Sequence, residues 1–153
     1  ATAEDAVYIN KGDVYEDENI RIEAFGSTDV GISFLIDLQG VRLFHAGDLN
    51  NWHWSEESTP QEIRKAEGDF LAEIKNLQQK APRVDIAMFP VDSRIGKDYM
   101  RGAEQFVERI KTAIFAVRIT GAATLSAPLP KAGVAVSLQS PAGVRVLTLL
   151  NKT

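Results

Sequence analysis

"ISFLIDLQGVRLFHAGDLNNWHW", residues 32–54, decides how this chain of 153 residues is read. Two apolar runs, 32–38 and 41–46, flank Gln39–Gly40, a two-residue link of the kind that closes a β-hairpin. Gly47 and Asp48 follow the second run directly, and both histidines and both tryptophans of the chain lie between 45 and 54. Two readings compete for that crowding: the lip of a metal site, or a structural turn rich in aromatics.

Upstream, "IRIEAF" (20–25) alternates as a strand does, "GSTDVG" (26–31) is a turn cluster, and "YEDENI" (15–20) reads as an exposed acidic turn. Three strands are therefore expected to form an antiparallel meander with one face buried. Downstream, Thr59 is a candidate N-cap, Pro60 suits the first helical position, and Glu62 completes a capping box. Ile63, Ala66, Phe70, Ile74 and Leu77 recur at helical spacing, and Pro82 ends the helix. "VDIAMFP" (84–90) reads as a buried strand and "VDSRIGKD" (91–98) as a loop. "YMRGAEQFVERIKT" (99–112) reads as a second amphipathic helix through Phe106, Val107 and Ile110, and "AIFAVRI" (113–119) as another strand. "VRVLTLL" (144–150) closes the chain as a strand, after a weakly patterned stretch. A meander followed by β-α-β-α-β is a layered α/β pattern. The predicted core comprises Phe34, Ile36, Leu43, Phe70, Ile74, Ile86, Met88, Phe106, Ile110 and Leu147.

With 44% hydrophobic and 25% charged residues the composition is that of a soluble globular protein, and the length suits one domain over 1–153. The net charge of −4 gives no reason to expect nucleic acid or an anionic membrane as partner. The absence of cysteine excludes disulfides, thiolate zinc sites and cysteine nucleophiles. No apolar run approaches the roughly 18 residues of a membrane span, and "ATAEDAVYIN" lacks the features of a signal peptide, so a cytoplasmic protein is expected. Every acidic residue lies at or before Glu108, so the chain beyond it is purely basic. That tail is read as buried, as docked on an acidic surface, or as diverged.

Each candidate site residue has a bland and a functional reading. Asp48, at the mouth of a strand, can hold a metal ion or cap its own turn, and spacing alone favours the cap. His45 and His53 can be imidazole ligands, but no H-x-H or H-x-x-x-H pair is present. His53 between two tryptophans more readily reads as a ring packed in an aromatic lip. Ser27, Thr28 and Asp29 can bind a substrate or water, or satisfy turn amides. Asp92, Ser93 and Arg94 stand where α/β folds place ligands, beyond a strand's carboxyl end, with a solvated loop as the alternative. Ser93 and Lys97 make a very weak nucleophile signal.

"FGSTDVGISFLIDLQGVRLFHAGDLNNWHW", a helix, and then "DIAMFPVDSRIGKDYMRGAEQFVERIK" resemble the C-terminal half of a metallo-β-lactamase-fold hydrolase. The resemblance covers about residues 20–112. It implies one layered half of an αβ/βα sandwich. It also implies that Asp48 is a metal ligand able to bridge two ions, with zinc or another divalent metal as cofactor. "NNWHW" would line the pocket, with Asn50, Trp52, Asp92 and Arg94 beside the substrate and His53 in a catalytic role; His45 is the weaker metal candidate. The H-x-H-x-D-H motif of that superfamily is absent, "GSTD" stands where a ligand histidine is common, and "AIFAVRITGAATL" lacks the later one. Residues 113–138 depart most from the pattern.

Two functions follow as expectations. One is hydrolysis of an ester, lactam, lactone or phosphodiester in a small molecule, by a chain that is metal-deficient on its own, with missing ligands supplied by another polypeptide, a second copy, or an upstream half-domain. The other is a non-catalytic half-domain that holds no metal in this chain; metal-independent hydrolysis is an outside third. A half-sandwich exposes one sheet face, so a homo-oligomer is expected.

Overall fold

Gln39 and Gly40 both take positive φ, 48° and 86°, the geometry that matches a tight turn to the right-handed twist of its strands. The computed structural model describes residues 6–120, 134–135 and 145–150. In it the hairpin joins β3 (Ser33–Leu38) to β4 (Val41–His45). β1 (Val14–Glu16) and β2 (Ile20–Phe25) precede them in an antiparallel meander of four strands, one more than expected. The extra strand comes from the acidic "YEDENI" stretch. Asp17 accepts from the amides of Asn19 and Ile20, which closes the turn and returns Tyr15 beside Ile22.

The rest alternates. Helix α1 (Pro60–Lys80) leads to β5 (Arg83–Asp92), a 3-10 turn covers Ser93–Ile95, and α2 (Arg101–Arg109) leads to β6 (Lys111–Thr120). Two further strands, β7 (Val134–Ala135) and β8 (Arg145–Leu150), complete an eight-stranded sheet among the described residues, in the order β1-β2-β3-β4-β5-β6-β8-β7. The capping box at Thr59 is formed in both directions: Thr59 N donates to Glu62 at 2.7 Å and Glu62 N to Thr59 Oγ1 at 3.3 Å.

β4, β5 and β6 are parallel neighbours, so each helix is a crossover between adjacent strands. Successive right-handed crossovers running the same way along a sheet place both helices on one face. The rings confirm it: Phe70 of α1 and Phe106 of α2 both pack on Phe89 of β5, at centroid distances of 6.1 and 5.4 Å. Phe25, Leu35, Phe44, Ala87, Phe89, Phe115 and Val117 form the sheet's side of this core.

The helix half of the predicted core is therefore found, with Phe70, Ile74, Phe106 and Ile110 all buried. The strand half is corrected. Phe34, Ile36, Leu43, Ile86 and Met88 share a face, but it is the one opposite the helices. They line up in two rows across the strands, Ile22–Ile36–Leu43–Ile86–Ile114 and Ala24–Phe34–His45–Met88–Ala116. Phe34, Ile36, Leu43 and Ile86 are partly exposed, and Met88 and Ile114 are exposed. Both phases of these strands are apolar, so alternation alone could not say which phase the helices would cover. Leu147 lies on β8, and its burial falls outside the described side chains. So does most of the 113–138 segment.

Candidate functional site

The parallel strands deliver their carboxyl ends, and the loops that follow them, to one edge of the sheet. There the 46–58 loop after β4 meets the 93–100 loop after β5 and the start of α2. Gly47 is required in the first turn: its φ is +59°, and a Cβ there would lie 2.6 Å from the carbonyl oxygen of Ile32. Thr28 ties the "GSTD" turn to the same loop. Its hydroxyl donates to Asn50 O at 2.6 Å and accepts from Asn50 N at 3.0 Å. Ser27 accepts from Asp29 N at 3.2 Å. Ser27 and Thr28 are thus engaged in turn and loop hydrogen bonds, and Asp29 is exposed.

Asp48 is exposed at the tip of the turn. Its main-chain oxygen accepts from Trp52 Nε1 at 2.8 Å, while its carboxylate accepts no hydrogen bond among the described residues. The turn-cap reading is therefore not realised, and the charge stands free at the sheet edge. His45 is exposed beside it and accepts from Gly47 N through Nδ1 at 3.1 Å. A neutral His45 then carries its proton on Nε2, so neither nitrogen offers a lone pair to an ion while that bond holds. Instead, Nε2 can donate to a substrate oxygen. His45 and Gly47 line a cleft with Met88, Phe89, Pro90, Ala116 and Val117.

His53 lies on the other side of its loop, only 2% exposed. Trp52 and Trp54 stack on each other at 6.1 Å and 13°, half-buried, and Trp54 takes a positive φ of 38°. Alternation along 52–54 thus leaves both indoles half-buried and the imidazole inside, and none of the three lines the cleft. Asn50 is also buried, and none of Asn50, Trp52, Asp92 and Arg94, the residues expected beside a substrate, lines this cleft.

Asp92, 2% exposed, terminates β5 and accepts from Arg94 N at 2.9 Å, capping the 3-10 turn. It also pairs with the Arg94 guanidinium, and this pairing raises the arginine's pKa above its ordinary value. Arg94 is exposed, and an incoming anion would have to compete with Asp92 for it. Lys97 is exposed too. Gly96 (φ +101°) brings this loop against Glu56, whose Oε1 would lie 2.9 Å from a Cβ.

Gln105, Glu67 and Arg101 escaped the sequence reading, and Asn51 enters it only within "NNWHW", as pocket lining. Asn51 Nδ2 donates to Gln105 Oε1 at 2.9 Å, Gln105 Nε2 to Glu67 Oε1 at 2.5 Å, and Arg101 pairs with the same oxygen at 2.8 Å. This chain pins the 50–53 loop to both helices. Its trace in the sequence is the four-residue spacing of Arg101 and Gln105, which puts two polar side chains on one face of α2.

Among the described residues no three of His, Cys, Asp and Glu gather closely enough to hold an ion. A catalytic zinc site takes three protein ligands and an open position, so the donors described do not fit one by themselves. Nor does any helix among them have the length and apolarity to cross a membrane.

No family profile matches the sequence, and no curated protein does. Among solved structures the chain is similar to one from Thermotoga maritima described as a "putative Zn-dependent hydrolase of the metallo-beta-lactamase superfamily". The match covers 70% of this chain and 45% of that one, with 18% identity and a TM-score of 0.43. The likeness is one of fold. This chain spans less than half the length of that protein.

Proposed function

We propose that the chain, folded as a single domain over 1–153, is one half of a hydrolase of the metallo-β-lactamase type. The substrate class is a small molecule with an ester, lactam or lactone-like bond. The observation that carries this reading is Asp48: a free carboxylate on the Gly47 turn, at the carboxyl end of β4, beside a cleft. The motif "HAGDLNNWHW", which resembles that superfamily, supplies the turn. Zinc or another divalent ion would use Asp48, together with ligands from beyond the described residues. Those would come from a second copy of this chain or from an upstream half-domain. A cytoplasmic location goes with this reading.

A second reading is favoured by the donor set just described. With one free carboxylate and no converging histidines, the chain can serve as a non-catalytic binding module. Elemental analysis of the purified protein, with ester and lactam assays in the presence and absence of chelator, separates the two. The chain alone, short of ligands, is expected to purify metal-deficient; with zinc supplied in excess, chelator-sensitive turnover is the expected result where a second copy provides the missing ligands. No turnover by the self-associated chain with zinc supplied in excess refutes a site completed by a second copy and favours the module. Metal-free protein with chelator-resistant turnover refutes the metal.

A further inference from the structure

Among the described residues three buried side-chain atoms lack a hydrogen-bond partner, Asn50 Nδ2, Asn51 Oδ1 and His53 Nε2, and they fall within four successive residues of one loop. Leaving such an atom unpaired costs about 1–3 kcal/mol, so three together call for a common explanation. Neighbouring hydrogen bonds fix the polarity of each. The Glu67 carboxylate, paired with Arg101, can only accept; Gln105 must then donate to it through Nε2 and accept from Asn51 through Oε1. Asn51 therefore presents its oxygen as the free end. Asn50 Oδ1 accepts from Asn51 N at 2.8 Å, which leaves its NH2 free. His53 Nδ1 lies 3.1 Å from the Asn51 carbonyl, which can only accept, so Nδ1 carries the proton and in the neutral ring Nε2 is a bare lone pair. The loop thus offers two acceptors and one donor, all three sealed from solvent.

We propose that Asn50, Asn51 and His53 enclose a binding site for one internal water molecule. Water gives both of its hydrogens to Asn51 Oδ1 and His53 Nε2 and accepts from Asn50 Nδ2, within the two to four partners usual for buried water. An ammonium ion could not accept from Asn50, and a cation would face its NH2 hydrogens. The site lies under the first turn of α2, where a Cβ on Gly102 would come within 1.9 Å of Asn50 Oδ1. The proposal is independent of the hydrolase reading.

The test uses the intact chain, labelled with nitrogen-15 in its two histidines, which a His45→Gln variant tells apart. Long-range proton–nitrogen correlation should show His53 with Nδ1 protonated and Nε2 bare. Rotating-frame and laboratory-frame water cross-peaks to the His53 ring protons should identify a long-lived bound water rather than exchange. Asn51→Leu should abolish that water signal; if this variant does not fold, the wild-type spectra alone decide. A His53 protonated on Nε2, or a bare Nε2 with no long-lived water signal, overturns the proposal.

Discussion

Replacing Gly102 and Gly68 by alanine, one at a time, should move stability in opposite directions, although both glycines sit in helices. At Gly68, in α1, nothing lies within 4 Å of the added methyl group, and the backbone is helical. Only the intrinsic preference acts there, so Gly68→Ala should stabilise by about 0.5–1 kcal/mol. At Gly102, in α2, the methyl would stand 1.9 Å from Asn50 Oδ1 and 2.9 Å from Asn51 N. Asn51 N is main chain, and Asn50 Oδ1 is committed to it, so the obstacle is not the free end of a flexible side chain. Overpacking of this kind costs roughly 1–3 kcal/mol, and loss of the Asn50–Asn51 hydrogen bond adds about 1 kcal/mol. Against these stands the same helix gain of up to about 1 kcal/mol, leaving a net loss of roughly 1–3 kcal/mol.

Urea unfolding measures both variants, followed by far-ultraviolet circular dichroism and by tryptophan emission. The two tryptophans stand two and four residues beyond Asn50, so a displaced loop should also alter the native emission of Gly102→Ala and leave Gly68→Ala unchanged. At a typical slope of about 1–3 kcal/mol per molar urea, the two midpoints should separate by on the order of 1 M. A Gly102→Ala variant as stable as Gly68→Ala, with native emission unchanged, would refute the packing of α2 on this loop.

Asp48→Asn should leave the free energy of urea unfolding within about 0.5 kcal/mol of wild type, because the carboxylate caps nothing; on the hydrolase reading chelator-sensitive turnover is lost with it. A larger stability loss would show that the cap exists. Glu62, held below the usual glutamate value by the Thr59 amide and then its hydroxyl, should stabilise α1 above the unfolded-state pKa of about 4.3 and progressively lose that contribution as pH falls. In Glu62→Ala the stability should therefore fall less steeply over that acid range; an unchanged slope would count against the capping box. The sheet face opposite the helices, partly exposed among the described residues, should make the chain self-associate at micromolar concentration, and Met88→Glu, which puts a charge in one of its two rows, should return it to monomer in sedimentation. A wild-type monomer would count against the homo-oligomer.

How far the sequence discloses this fold depends on what kind of signal each element carries. The hairpin at Gln39–Gly40 and the helix from Thr59 to Pro82 are written in local chemistry: a positive-φ turn, a capping box, a proline stop. Local chemistry survives any tertiary context. The short β1 is different, since Val14–Glu16 is too polar to announce itself and exists because β2 offers it an edge. The strand phase is different again. In "ISFLIDL" and "VDIAMFP" the two faces compete almost equally in hydropathy, and the tie is broken only by where the crossovers put the helices.

The site follows the same logic. Asp48 is legible because a glycine–aspartate turn beyond a strand is a local pattern, and its exposure follows from the turn. His53 misleads because a histidine is conspicuous by type, whereas its place depends on Asn51, and Asn51 depends on Gln105 and Glu67, 54 and 16 residues away along the chain. No local pattern encodes that dependence. The same right-handed crossovers that bury Leu35 and Phe44 beneath the helices leave Ile36 and Leu43 to the open side. On the proposed reading, whatever covers the rows through Ile86 and Met88 also comes up against His45 and the free carboxylate beside it, because His45 itself belongs to the second row.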